Sequence, residues 1–184
     1  HRINRRQRQM CIRDRHIIIA TGARSRELPS IPQDGIKIIG YRKAMTLDKQ
    51  PKKIIIVGSG AIGSEFAYFY NSMGTEVTLV EYMPRIVPLE DEEVSKQLER
   101  SFKKSGMKIL TSTEVIGVNT SGEHVEAKIK TKKGEESIQA DIILSAVGIK
   151  TNIENIGLED VGISTDKDKI LVNEFYETNI PGYY

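Results

Sequence analysis

The run Ile54-Ile55-Ile56-Val57 passes straight into Gly58-Ser59-Gly60-Ala61-Ile62-Gly63, and a second apolar run, Val77 to Val80, ends in Glu81 about 20 residues further on. A continuous β-branched run suits a central parallel strand that is buried on both faces and ends abruptly at the mouth of a crevice. In such a turn Gly58 permits the tight bend, Gly60 lets the backbone approach a pyrophosphate, and Gly63 lets the following helix pack closely on the strand. The spacing predicts a helix from Ala61 to about Met73, with Phe66, Phe69, Tyr70 and Met73 on its apolar side. Its unpaired N–H groups and the positive end of its dipole would face the phosphates. Glu81 is then placed to accept hydrogen bonds from a pair of ribose hydroxyls. A glycine motif alone is weak evidence, because Gly-rich strand-to-helix turns are common; here strand, turn with helix, and terminal acid agree.

The charge balance gives no support to a nucleic-acid face. The net charge is +2, but residues 1–15 hold six Arg and one Asp, so the rest of the chain carries about −3. That basic segment has neither apolar periodicity nor the apolar core of a signal peptide, and Gln7 to Arg15 resembles translated sequencing-adaptor read-through. Residues 1–15 are therefore expected to be a leader foreign to the fold, a genuine basic arm being the competing reading. The single cysteine, Cys11, lies there, so no disulfide forms within the chain, and three scattered histidines offer no metal-ligand spacing. No apolar run reaches membrane-spanning length, and a soluble, cytoplasmic chain is expected.

Beyond the leader, Ile17-Ile18-Ile19-Ala20-Thr21-Gly22 reads as a short buried strand closed by a glycine turn. Pro29, Pro32, Gly35 and Gly40 mark an irregular crossing segment, and Lys49 to Lys53 a linker. After Glu81, Asp91 is a good N-cap for a helix with Glu92 and Glu93 in its first turn, Val94, Leu98 and Phe102 recurring every four residues, and Gly106 closing it before a strand over Met107 to Leu110. The period then shifts to two: Val125, Ala127, Ile129 and Thr131 alternate with charged residues between turns at Ser121-Gly122 and Lys133-Gly134, which predicts an antiparallel meander. The nearby lysines, with Glu135 and Glu136 beside them, read as a solvated face. Ala140 to Gly148 is again continuously apolar and is expected to return to the parallel sheet beside the first strand, bringing Gly148 to the ligand-binding edge. The expected fold class is α/β, a Rossmann-like doubly wound parallel sheet with an antiparallel β-meander crossover. No Ser/His/Asp or Cys/His constellation falls near the crevice, so no catalytic residue and no metal ligand is assigned.

These residues resemble the flavin-dependent pyridine nucleotide-disulfide oxidoreductases, and within that family its dihydrolipoamide dehydrogenase branch. The resemblance covers residues 16–184 and rests on Ala20-Thr21-Gly22-Ala23, on Gly58 through Glu65 and Phe66 with Glu81, on Ala140-Asp141 through Gly148, and on Thr178 to Tyr184. It implies that Thr21 and Gly22 face FAD, and that Gly58, Ser59, Gly60, Ala61, Ile62, Gly63, Glu65, Glu81 and Gly148 face NAD, with Glu65 near the nicotinamide end and Val115 lining the adenine. It also implies a division into the edge of an FAD-binding domain and linker (16–50), an NAD-binding domain (51–172) and the start of a return to the FAD domain (173–184).

Departures accompany the matches. The family's redox pair, two cysteines separated by four residues, belongs before residue 16; the flavin-contacting Gly-Asp expected after Tyr184 and the interface domain with its acid/base His and Glu are missing; and Gly148-Ile149-Lys150-Thr151-Asn152 stands where Gly-Arg-x-Pro-Asn is frequent. The chain is thus expected to be a fragment, inactive alone, of an enzyme that oxidises dihydrolipoamide through a redox disulfide and FAD and passes hydride to NAD. By resemblance the intact enzyme is a homodimer serving lipoyl groups of 2-oxo acid dehydrogenase or glycine cleavage complexes. The alternatives are a related flavoprotein reductase or transhydrogenase, and a non-catalytic NAD(H)-binding module.

Overall fold

The computed structural model describes residues 15–184; the expectations for the basic leader and Cys11 fall, Arg15 apart, outside that range. In chain order the elements are β1 (Ala23–Ser25), β2 (Ile38–Ile39), α1 (Tyr41–Ala44), β3 (Lys53–Val57), α2 (Ala61–Ser72), β4 (Glu76–Val80), α3 (Glu92–Lys104) and β5 (Lys108–Leu110). Then follow β6 (Glu114–Asn119), β7 (Val125–Thr131), β8 (Gly134–Ala140), β9 (Ile142–Ser145), β10 (Ile149–Thr151), α4 (Leu158–Val161), β11 (Thr165–Asp166) and β12 (Lys169–Ile170). The described residues divide into two compact units, Ser25–Ile149 and a second made of residues 15–24 together with Lys150–Tyr184.

The larger unit is built on a parallel sheet of order β2-β9-β3-β4-β5. β3 pairs in register with β4 from Lys53↔Glu76 to Val57↔Val80, and on its other side with β9 from Ile54↔Ile142 to Val57↔Ser145. Strand order reverses at β3, so the turn that follows it opens at a topological switch point, where open α/β sheets bind ligands. Because side chains alternate along a strand, the apolar run of β3 serves two cores. Ile54 and Ile56 pack with Ala67, Tyr70, Val77, Leu79 and Phe102 beneath the helices. Ile55 and Val57 pack with Val80, Val125, Ala127, Ile129 and Ile143 beneath the antiparallel sheet β6-β7-β8. All four residues of that run are buried, at roughly 1.5 to 3 kcal/mol per aliphatic side chain. Helices thus cover one face of the parallel sheet and the meander the other, in agreement with the period-two pattern of Val125 to Thr131.

Asp141 closes the crossover from the meander back to β9. Its carboxylate accepts from the backbone N–H of Lys52 (2.7 Å) and Lys53 (3.0 Å) at the start of β3, and lies 3.0 Å from His124. Partial burial opposes its ionisation, but the two N–H donors and His124 outweigh that and hold the carboxyl below the usual carboxylate range.

Three expectations about burial are corrected. Ile17 to Ile19 is not a buried strand: Ile18 is 77% exposed, and Ile17 makes only an isolated parallel bridge with Tyr183. In α2 the buried face is Gly63, Ser64, Ala67 and Tyr70, while Phe69 and Met73 are more than half exposed. Near the turn the helix sits so close to the sheet that Gly63, Ser64 and Ala67 form the contact; further along Tyr70 is buried as expected and Phe66 is partly so, while Phe69 and Met73 are turned aside. In α3, Val94 is exposed and Ser95 is buried with Phe102. A repeat of four drifts by about 40° per step at roughly 100° per residue, so Val94 lies well off the face that Phe102 defines, whereas Ser95, two turns earlier, lies on it. The capping expectation holds: the Asp91 side chain accepts from Glu93 N–H and Val94 N–H.

In the smaller unit Ile17 and Ile19 donate backbone N–H bonds to the carbonyls of Gly182 and Tyr184 (both 2.7 Å). The hairpin β11/β12 and the single-turn α4, bracketed by Gly157 and Gly162 in left-handed conformation, complete it.

Candidate functional site

The site forms where β3 ends. Gly58 has φ +97°, and a Cβ there would lie 2.5 Å from the Ala146 carbonyl oxygen at the end of β9. At Gly63 a Cβ would meet the Gly58 carbonyl oxygen at 1.9 Å, so α2 approaches the turn at a distance only glycine tolerates. Gly60 differs from both: nothing lies within 4 Å of a Cβ built there, and the residue is exposed. It is also the N-cap of α2, with no side-chain cap and no acidic residue in the first turn. The leading N–H groups of α2 have no intrahelical acceptor and carry the positive end of its dipole. Open space over an uncapped helix start is the shape that a pyrophosphate fills, so the residues present fit a dinucleotide.

Glu81 follows the last residue of β4 and is fixed from both sides. Its backbone N–H donates to the Leu110 carbonyl (2.8 Å) and its carbonyl accepts from Thr113 N–H (2.9 Å). The side chain is 7% exposed; Oε2 accepts from Ser59 N–H (2.8 Å) and from the Ser59 hydroxyl (2.6 Å), and Oε1 from Met83 N–H (2.8 Å). The acid is thus held against the glycine turn by bonds that its sequence position alone does not announce. Arg85, which could have reached toward a ribose phosphate, donates instead to the Pro88 carbonyl (3.1 Å) within its own loop.

Along α2 from the turn, Ile62, Glu65, Phe66 and Phe69 line an open apolar pocket of about 580 Å³ whose other side is formed by Tyr41, Ala44 and Met45. Sequence reasoning placed Ile62 and Glu65 but missed the Tyr41–Met45 side, which lies in a Gly- and Pro-marked segment with no periodicity to reveal it. The Tyr70 hydroxyl anchors that side by donating to the Ala44 carbonyl (2.7 Å).

The larger unit therefore brings together Gly58, Ser59, Gly60, Ala61, Ile62, Gly63, Glu65 and Glu81. Gly148, at φ +105°, follows β9, whose end touches Gly58, and its carbonyl accepts from Arg26 N–H (3.0 Å). Val115 is in the same unit, but its side chain is buried in the core beneath the meander. Thr21 and Gly22 belong to the smaller unit, where Asn152 pins both: its side-chain amide donates to the Thr21 carbonyl (3.1 Å) and its N–H to the Gly22 carbonyl (2.9 Å). Arg24 donates to Asn152 Oδ1 (2.8 Å) and pairs with Glu154, whose carboxyl the Arg24 and Lys150 bonds hold far below the usual carboxylate range. No cluster of metal-ligating side chains occurs among the described residues, and no helix of theirs is long and apolar enough to cross a membrane.

The switch-point turn and its terminal acid have the form that dinucleotide-binding α/β proteins share. Comparison with known proteins narrows this: the family described as pyridine nucleotide-disulphide oxidoreductase matches residues 4–184, and the chain belongs to that family. It is 46% identical over 171 residues to a dihydrolipoyl dehydrogenase of Rhizobium etli, covering 92% of this chain and 36% of that protein. Identity to the mitochondrial dihydrolipoyl dehydrogenase of Pisum sativum is 40%, over 94% of this chain and 35% of the relative. Among solved structures, LpdA from Mycobacterium tuberculosis superposes with a TM-score of 0.83 at 31% identity, covering 92% of this chain and 36% of that one. The HOCl-induced flavoprotein disulfide reductase RclA from Escherichia coli (TM-score 0.79, 21% identity, 92% of this chain and 38% of that one) shares the fold. The chain spans about a third of the length of the curated relatives it matches.

Proposed function

We propose that this chain is the NAD-binding portion of a dihydrolipoamide dehydrogenase. The observation that carries the proposal is the open backbone at Gly60, at the uncapped start of α2, with the Glu81 carboxylate bonded to the adjoining Ser59. On this reading the N–H groups from Gly60 to Gly63 bind the pyrophosphate, and Glu81 accepts from the adenosine ribose. Ile62 and Glu65 flank the nicotinamide end, where Phe66, Phe69 and Met45 offer an apolar surface. By the same resemblance Thr21 and Gly22 face FAD, Gly148 faces NAD, and Val115 lines the adenine.

NAD and FAD, when bound, supply the hydride chemistry, and the protein supplies binding and orientation. The whole reaction, oxidation of dihydrolipoamide through a redox disulfide, belongs to a larger homodimeric assembly serving lipoyl groups; this chain alone is expected to perform no turnover. A relative named leghemoglobin reductase, from Glycine max and 39% identical, keeps a second reading in view, another flavoprotein reductase built on the same NAD site.

The test is a fluorescence titration of the 184-residue chain with NADH and with NADPH. NADH is expected to bind at least about tenfold more tightly, because a 2′-phosphate would meet the Glu81 carboxylate as like charge in a partly desolvated pocket. Equal affinities, or a preference for NADPH, would overturn the assignment of Glu81 to the ribose.

A further inference from the structure

Ser59 is fully buried between Gly58 and Gly60, and each of its polar groups is engaged. Its N–H and its hydroxyl both donate to Glu81 Oε2 (2.8 and 2.6 Å). Its carbonyl accepts from Val87 N–H (3.0 Å) and from the Ser64 hydroxyl (2.9 Å), and the same Val87 N–H lies 3.3 Å from the Ser59 hydroxyl oxygen. One residue therefore ties together the glycine turn, the acid at the end of β4 and the loop that follows it.

A carboxylate has about four acceptor positions. On Glu81, Oε2 takes two protein donors and Oε1 takes one, from Met83 N–H. Only Oε1 has room for a further donor, and the Ser59 hydroxyl is what fills the last place on Oε2.

We propose that Ser59 is a positioning residue that acts through Glu81 to set the preference for a ribose with a free hydroxyl over one bearing a phosphate. By saturating Oε2 its hydroxyl locks the carboxylate in one orientation and keeps Oε1 available to the ribose 2′-hydroxyl, the position at which NADPH carries a phosphate in place of a donor. The proposal rests on the NAD reading of the site and adds the residue that enforces its selectivity.

The test is a double-mutant cycle with Ser59→Ala and Glu81→Ala in the full chain, titrated with NADH and NADPH. Ser59→Ala is expected to weaken NADH binding about tenfold, the scale of a hydrogen bond to a charged group, and to leave NADPH within about twofold. In the Glu81→Ala background the same change should alter NADH affinity by less than about twofold, because the group it acts through is gone. Ser59→Cys, which leaves no cavity and offers only a weak donor, should follow Ser59→Ala in direction, so that an empty space cannot be the cause. An equal loss for both cofactors, or the same loss in both backgrounds, would overturn the proposal. An unchanged NADH affinity in Glu81→Ala itself would instead overturn the nucleotide reading on which the proposal stands.

Discussion

Gly63→Ala is expected to cost about 3 kcal/mol or more of folding stability, read as a drop in the urea midpoint of the full chain. The methyl group would sit 1.9 Å from the Gly58 carbonyl oxygen, and neither atom belongs to a flexible side chain that could swing away. Relief requires lifting α2 off the end of β3, which breaks the contacts of Ala67 and Tyr70 with Ile54 and Ile56. Gly60→Ala provides the contrast. Its backbone (φ −63°, ψ −173°) suits alanine and its Cβ meets open space, so stability should be unchanged within error while NADH binding falls, because the methyl occupies the proposed pyrophosphate path. Equal destabilisation by the two changes would contradict this division of labour between the glycines.

Glu81→Ala is expected to weaken NADH binding by roughly 1 to 3 kcal/mol, the scale of charge-assisted hydrogen bonds, while NADPH binding holds or improves. It should also destabilise the fold, by about 1 to 3 kcal/mol, because Ser59 N–H and Met83 N–H lose the acceptor that satisfies them. Titrations run well below each variant's melting temperature separate the two effects. A NADH to NADPH ratio identical to that of the unmutated chain would mean that Glu81 serves the fold alone.

Much of this arrangement was legible from the residues. Ile54 to Val57 has no polar residue to offer a solvent face, and only a strand covered on both sides accommodates that. The glycines fall at the spacing that a strand-turn-helix requires, and Asp91 announces its helix because a short acceptor side chain there has few other uses. Errors arose where side-chain size was taken as a guide to burial. Phe69, Met73 and Val94 looked like core residues, yet at close helix-sheet approach the contact goes to Gly63, Ala67 and Ser95, and a repeat of four drifts off the buried face. The bonds from Ser59 and Met83 to Glu81, and the Tyr41–Met45 wall of the cavity, depend on segments brought together only by folding, and no local pattern carries them.

In the proposed complex a dinucleotide lies across the switch point of the larger unit, over Gly60 and against Glu81. The most direct measurement is a 15N–1H amide correlation spectrum of the labelled chain titrated with NADH. Saturable shifts are expected at the amides of Ser59 to Gly63, at Glu81 to Met83 and at Gly148, with the meander amides of Glu126, Lys128 and Ser137 unmoved. No saturable shift at Gly60 and Ala61, or shifts concentrated on the meander, would contradict it.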